Sequence, residues 1–262
     1  MKIWYQSFTD WSLHASYLNR LDSYLNEHAA PGTQIKVAGL SPGDLAVHRI
    51  SEVRCSIQAL RCAADAQNQG YDAFVIGHFQ DSGLDEARAM LDIPVIGMGE
   101  TSMLYAMTLG RRFGLVTIDP LFADWHDFQA ARISLEDRMV GVVSMSTPPQ
   151  RLLDAFDTPK AYAAIMAEFV KTAESLTNCR AEVIIPAGGL FALLSAGEQS
   201  FKVHDAAVLN PILVTLRAAE TAAWLGELNG TAASRAGAFA KPPAQAVEEL
   251  MALIAEGARS SS

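Results

Sequence analysis

Two kinds of hydrophobic pattern alternate along the chain. Short apolar runs rich in β-branched residues are separated by longer segments in which apolar residues recur every three or four positions. The first pattern predicts buried strands and the second predicts amphipathic helices, and their alternation is typical of βα units around a mostly parallel sheet. The predicted strands are residues 2–6, 34–40, 73–77, 94–97, 114–117, 139–144, 182–185 and 212–215.

The helical segments carry apolar residues at spacings of three and four. The predicted buried faces are Leu13, Tyr17, Leu21 and Leu25 in the first segment, Val53, Ile57 and Leu60 in the second, and Ala161, Ile165 and Phe169 further on. A last helix is predicted after Pro242 and Pro243. Such stripes should face the sheets.

The order of the strands repeats after about 110 residues, which is the length of a whole domain. The shift lays 2–6 on 114–117, 34–40 on 139–144, 73–78 on 182–187 and 92–96 on 209–213. We therefore predict two similar α/β halves, residues 1–109 and 110–215, with the carboxyl-terminal helical segment 216–262 completing the first half. Ligands of parallel sheets bind beyond the carboxyl ends of the strands, so a shared cleft should lie between the halves.

The loop after the predicted strand 73–77 carries His78, Phe79, Gln80 and Asp81. A loop histidine can act as a general acid or base, and a neighbouring carboxylate could orient its ring. The competing interpretation is a structural histidine, with Asp81 capping the helix that follows Gly83.

Two glycines, Gly188 and Gly189, follow the matching strand 182–185, and the repeat pairs Ala187 with His78. Backbone amides in such a turn could stabilise a developing enolate or oxyanion. The alternative is a tight turn that needs glycine for its backbone conformation. Gln6, Ser7, Glu100 and Thr117 also lie at strand ends, where they could line the same cleft, although Glu100 could equally be solvated.

The charge balance and the missing motifs exclude several classes of function. The chain has 20 basic and 29 acidic side chains, a net charge of −9, which disfavours nucleic acid as a partner. The longest apolar stretch is interrupted by Pro186 and two glycines, so we predict no membrane span and a cytoplasmic location. The three cysteines lack paired spacing, and metal, phosphate-loop and dinucleotide motifs are missing, which predicts neither a metal nor a cofactor.

Four segments together resemble the aspartate/glutamate/hydantoin racemase superfamily, and most of all its hydantoin and allantoin racemase branch. They are PGTQI (31–35), IGHFQDSGLDEAR (76–88), DIPVIGMGE (92–100) and LGRRFGLVT (109–117). The resemblance implies two pseudo-symmetric, flavodoxin-like three-layer α/β domains with mostly parallel sheets and an active site between them. It also implies a homo-oligomer that acts on a small molecule without cofactor or metal, using two cysteines on opposite sides of the substrate.

Both family cysteines are replaced in this register. A motif like CFGDPGL places the first at His78, and a motif like GCAG places the second at Ala187. Cys55, Cys62 and Cys179 fall at no predicted strand end, so the two-thiol mechanism is not expected.

The resulting hypothesis is a cofactor-independent racemase or isomerase. His78 is the acid/base and the Gly188 and Gly189 amides are donors, acting beside a carbonyl of a small cyclic amide, ureide or carboxylic acid. Gln6, Ser7, Phe79, Gln80, Glu100, Thr117 and Ala187 are the expected substrate contacts. A lyase or hydrolase on the same scaffold and a non-catalytic binding protein remain open, as does the identity of the substrate.

Overall fold

The computed structural model describes residues 1–44 and 48–259, and their side chains as far as residue 255. The strands are β1 (Lys2–Gln6), β2 (Gln34–Ala38), β3 (Ala73–Ile76), β4 (Val95–Gly97), β5 (Phe113–Thr117), β6 (Met139–Ser144), β7 (Val183–Pro186), β8 (Lys202–Val203) and β9 (Ala206–Val208). The helices are α1 (Trp11–His28), α2 (Arg49–Asn68), α3 (Leu84–Met90), α4 (Met98–Leu109), α5 (Ala123–Arg132), α6 (Pro149–Asp157), α7 (Pro159–Asn178), α8 (Gly189–Ser195), α9 (Pro211–Asn229) and α10 (Ala244–Arg259).

The strands form two sheets with the same order. The first sheet runs β2-β1-β3-β4 and the second β6-β5-β7-β9-β8, and every pair is parallel except β8 with β9. The central strands β3 and β7 are continuous apolar runs that are buried throughout, as expected where both faces of a parallel sheet are covered. The predicted α/β class and the repeated strand order are confirmed.

One predicted strand is wrong. Residues 212–215 lie in α9, and the fourth strand of the second sheet is β9 instead. The helix starts there because the Asn210 side chain accepts a hydrogen bond from the Leu213 amide and Pro211 occupies the first helical turn. These local start signals override the strand propensity of a β-branched run. The other seven predicted strands agree with the structure to within two residues.

The predicted buried face of α2 is also partly wrong. Leu60 is buried, but Val53 and Ile57 are 55% and 38% exposed. The inward face consists mainly of small residues, among them Cys55, Ala59 and Ala63, which let α2 pack closely against the first sheet. Glu52 lies on this face and is fully buried. On α1, by contrast, Tyr17, Leu21 and Leu25 are buried as predicted and Leu13 is exposed.

The carboxyl-terminal helices return to the first sheet. Helix α9 contacts β3, β4 and α4, and α10 contacts α2. Ile212 and Leu216 of α9 belong to one hydrophobic cluster with Val75 of the first sheet and Leu115 of the second. The predicted division into two halves stays a prediction, and residues 260–262 of its last segment lie outside the described residues. Across 1–44 and 48–259, each helix is too short or too polar to span a bilayer.

Gly77, the residue after β3, has no room for a side chain. An added Cβ would lie 2.1 Å from the ring of buried Tyr5. Gly77→Ala is therefore expected to lower the stability by about 1–3 kcal/mol, the usual cost of overpacking. Thermal unfolding followed by circular dichroism measures the change. Gly197→Ala is the control, because nothing lies within 4 Å of its added Cβ; equal melting temperatures for the two variants would contradict the packing argument.

Candidate active site

A cavity of about 70 Å³ lies where the loops after strands of both sheets meet. Ser7 follows β1, His78 and Gln80 follow β3, and Ala187 follows β7. The lining residues are Ser7, Phe8, Thr9, Tyr17, Asp44, Gly77, His78, Gln80, Ile118, Phe122, Pro149, Ala187, Gly188, Gly189, Leu190 and Phe191. The predicted cleft at the carboxyl ends of the strands is therefore present as a small cavity.

The His78 ring is fixed at one edge and one face. Its Nε2 lies 2.9 Å from Oε1 and 3.1 Å from Oε2 of Glu52, which reaches it from the first turn of α2. The Ser82 hydroxyl donates to the same carboxylate at 2.5 Å. The ring of Phe8 stacks on the imidazole with centroids 4.4 Å apart and planes 10° from parallel. Glu52 can only accept, so the proton of neutral His78 resides on Nε2.

The charges around His78 favour its protonated form. Burial opposes protonation, but the Glu52 carboxylate, and after it Asp44 and Asp81, outweigh burial and raise the pKa of His78. Burial would raise the pKa of Glu52, yet His78 and the hydroxyl of Ser82 hold it well below its usual range. Burial and the neighbouring Glu52 raise the pKa of Asp44, whose Oδ2 lies 3.8 Å from His78 Nε2. An imidazolium formed at His78 is thus stabilised by carboxylates.

Asp44, Glu52 and His78 also form a possible cation-binding set. One donor atom from each lies within 4.8 Å of the others. Imidazole nitrogen and carboxylate oxygen are suitable ligands for ions such as Zn²⁺. The distance of 2.9 Å between His78 and Glu52 is that of a hydrogen bond, and a shared proton satisfies both groups. No sequence motif indicated this set, because its members are far apart along the chain.

The hydrogen bonds of residues 187–189 do not support the oxyanion role predicted for the Gly188 amide. The Gly188 amide donates to the Pro186 carbonyl at 3.1 Å, and the Ala187 amide donates to Val116, so neither is available to a ligand. Gly189 is the first residue of α8, where an amide lacks a helical partner, and among the described residues none accepts from it. Of the two amides predicted as donors, the Gly188 amide is occupied and is not retained in that role, whereas the Gly189 amide is free among the described residues.

Gln6 and Glu100 have other partners and do not line the cavity. The side-chain Nε2 of Gln6 donates to the carbonyls of Ser7, Ala38 and Gly39, and these hydrogen bonds connect the end of β1 to the end of β2. Glu100 forms two hydrogen bonds with Arg88, at 2.6 and 3.0 Å. We do not retain Gln6 and Glu100 as substrate contacts.

Phe79 and Thr117 are likewise outside the lining of the cavity. Phe79 is fully buried, with its ring edge-on to that of His126. Thr117 is buried at the end of β5, and its hydroxyl has no partner among the described residues. These two predicted contacts are also set aside, whereas Ser7, His78, Gln80, Ala187, Gly188 and Gly189 all line the cavity.

Asp81 shapes the loop and does not touch His78 through a hydrogen bond. Its carboxylate accepts the amides of Gly99 and Glu100 at 2.9 and 2.6 Å, so it caps the start of α4 and not that of α3. Burial raises its pKa to about 7. The carboxylate that orients the histidine is Glu52, which the sequence analysis missed. Glu52 was missed because the predicted buried face of α2 contained Val53 and Ile57, whereas the actual buried face contains Glu52.

Helix α5, which follows β5 of the second sheet, forms hydrogen bonds with the loop 78–81 that carries His78. Trp125 Nε1 donates to the Gln80 carbonyl at 3.1 Å, and Gln129 Nε2 donates to the Phe79 carbonyl at 2.7 Å. His126 Nδ1 lies 2.7 Å from Gln129 Oε1, and burial lowers the pKa of His126 to about 4. A neutral His126 thus supports the loop that carries His78.

The three cysteines are not part of the cavity lining, although Cys55 interacts electrostatically with Asp44, which is. Cys55 is buried on α2, where burial raises the pKa of its thiol to about 12, and burial raises that of Cys62 to about 11. Cys179 is exposed at the end of α7. Among the described residues that line the cavity, none is a cysteine.

Comparison with known proteins gives the class of the molecule. The family model for Asp/Glu/Hydantoin racemase matches residues 14–219, and the chain belongs to that family; it is a racemase-family enzyme. It is 27% identical over 207 residues to a hydantoin racemase from Pseudomonas sp. (strain NS671), covering 77% of this chain and 80% of that protein.

Two solved structures share the fold. Allantoin racemase from Pseudomonas fluorescens superposes with a TM-score of 0.76 at 21% identity, covering 92% of this chain and 97% of that one. The Klebsiella pneumoniae allantoin racemase gives a TM-score of 0.72 at 21% identity, with coverage of 92% and 94%. Within the family, the chain is similar in sequence to the hydantoin racemase and in fold to the two allantoin racemases.

Proposed function

We propose that the protein catalyses cofactor-independent proton transfer at a carbon next to a carbonyl, using His78 as its single base. The observation that carries this proposal is the His78–Glu52 pair at the edge of the cavity. A histidine oriented by a carboxylate on one nitrogen is set up to exchange a proton through the other. His78 Nδ1 has no partner among the described residues, so this nitrogen is the one available to a substrate.

The reaction begins with neutral His78. Nδ1 takes the proton from the carbon acid, and the positive charge that forms on the ring is stabilised by Glu52 and Asp44. The electrons of the broken C–H bond move toward the carbonyl oxygen, which becomes an enolate oxygen. The free amide of Gly189 is a donor for that oxygen.

The lining favours a neutral substrate. Among the described residues around the cavity there is no lysine or arginine, and Asp44 places a carboxylate there. Phe8, Ile118, Phe122 and Leu190 supply apolar surface. A substrate carboxylate would meet no lysine or arginine in this lining and would lie near the Asp44 carboxylate, so of the substrates considered, a small cyclic amide or ureide fits better than a carboxylic acid.

The wall at residues 187–189 supports a second candidate. Ala187, Gly188 and Gly189 offer no group that could carry a proton to the opposite face of the substrate. Bond cleavage needs a carrier on one face only, so a lyase or hydrolase reaction with His78 as acid/base remains the alternative. Without the two thiols, proton return by His78 favours exchange or one-base isomerisation.

The test is incubation in deuterium oxide with a panel of hydantoins, cyclic imides and dicarboxylic acids, followed by proton NMR. Deuterium uptake at the carbon beside a carbonyl of a cyclic compound is expected, and treatment with EDTA should leave it unchanged. A cleaved product would move the assignment to lyase or hydrolase. Binding without any exchange or cleavage would contradict catalysis and support a binding protein.

A further inference from the structure

Tyr17 is a buried residue of α1 that also lines the cavity. Its side chain is 3% exposed, and its hydroxyl interacts with the side chain of Ser7, the residue after β1. Its place in the apolar repeat of α1 predicts only a core residue, and its ring does belong to the central hydrophobic cluster. The apolar pattern of α1 therefore does not predict that the phenol hydroxyl of Tyr17 is a polar group at the cavity.

The hydroxyl of Tyr17, a residue of α1, lies beside Gly189, which follows β7 of the second sheet. It lies 3.0 Å from the point where a Cβ on Gly189 would stand, and the Gly77 carbonyl is 3.7 Å from the same point. Gly189 thus leaves space for the hydroxyl between the ends of β3 and β7. The phenol and the free amide of Gly189 are neighbours at this position.

The phenol stays protonated. Burial raises the pKa of Tyr17 well above its usual value, with Ser7 acting in the opposite direction. Burial, and after it the neighbouring Tyr17, also raises the pKa of Tyr5. A neutral hydroxyl at the edge of a partly apolar cavity can donate a hydrogen bond, and a donor is most effective where negative charge develops.

We propose that Tyr17 is a catalytic residue that donates its hydroxyl hydrogen bond to the substrate carbonyl oxygen. This inference rests on the proposed function. As His78 Nδ1 takes the proton, the C–H electrons form a carbon–carbon double bond and the carbonyl π electrons move to oxygen. Tyr17 and the Gly189 amide then hold the enolate oxygen, and return of the proton from His78 reverses the step without any other reactant.

The first measurement compares Tyr17→Phe with Tyr24→Phe, using the deuterium exchange of a 5-alkylhydantoin. Tyr17→Phe is expected to lower kcat on the order of 10²-fold with little change in KM, because the lost bond forms fully only in the transition state. Tyr24 lies on the same helix, but its hydroxyl contacts Asn210 and the Ala196 carbonyl, so its variant should keep the wild-type rate. Equal rates for both variants, with His78→Gln still inactive, would overturn the inference and leave the proposed function standing.

A second measurement does not depend on turnover. Barbituric acid is a planar cyclic ureide that is an enolate at neutral pH, and isothermal titration calorimetry measures its binding. Tyr17→Phe should weaken this binding at least tenfold, whereas Tyr24→Phe should not change it. Equal affinity of the Tyr17→Phe and Tyr24→Phe variants for barbiturate would overturn the role of Tyr17. Circular dichroism of each variant confirms that it is folded.

Discussion

Replacement of His78 by glutamine is expected to lower the rate of proton exchange by about 10²–10⁴-fold, the usual contribution of a positioned acid/base. The glutamine amide can still donate to Glu52 in place of Nε2, so the buried carboxylate keeps a partner. The basic Nδ1 has no counterpart in glutamine. The variant therefore removes the base while leaving the surrounding hydrogen bonds largely in place, and NMR-monitored exchange in deuterium oxide measures the loss.

The matched control is His204→Gln. His204 is exposed and its Nδ1 lies 3.0 Å from the Thr177 hydroxyl, away from the cavity lining. Its variant should exchange protons at the wild-type rate. Retention of most of the activity by His78→Gln would show that another group is the base and would refute the proposed mechanism.

The fold was predictable because periodicity reports which residues face a sheet. Seven strands and their repeated order follow from buried runs such as those of β3 and β7. The error at residues 212–215 arose where strand propensity and helix start signals conflict. The hydrogen bond that the Asn210 side chain accepts from the Leu213 amide, together with Pro211, decides that conflict in favour of a helix.

The candidate site was predictable only where it lies on strand ends. Ser7, His78, Gln80 and Gly189 all lie within four residues of the end of a strand, so the topology of a parallel sheet brings them together. Glu52 and Tyr17 reach the cavity region from helices, and their direction depends on how each helix is rotated against the sheet. The exposed positions of Val53 and Ile57 show that hydrophobic spacing alone misjudges that rotation.

Replacement of Glu52 by glutamine is expected to lower exchange by about 10⁴-fold, because a carboxylate that fixes a histidine tautomer contributes on this scale. An amide nitrogen facing Nε2 would move the ring proton to Nδ1 and so block the base. The variant also loses the negative charge that stabilises the imidazolium. The rate of exchange with a 5-alkylhydantoin measures the combined effect.

The pH dependence of the exchange rate of Glu52→Gln shows whether the Glu52 charge, and not only its packing, acts on His78. His78 works as a base when neutral, and Glu52 raises its pKa, so the wild-type rate should rise with pH through a midpoint above the ordinary pKa of histidine. Removing the Glu52 charge should move that midpoint to lower pH. Asp44→Asn should move it in the same direction but by less, because Asp44 lies 3.8 Å away and forms no hydrogen bond with the ring.

The stability of the protein in acid gives an independent check of Glu52. Its pKa in the folded protein is lowered, so the stability that it contributes is present above its pKa in the unfolded chain and is lost as pH falls toward the folded value of about 2. Glu52→Gln should therefore lose less stability on acidification than the wild type, as measured by urea unfolding at several pH values. Parallel curves for the two proteins would mean that Glu52 is not charged beside His78, and the role of this pair in orienting the base would then be wrong.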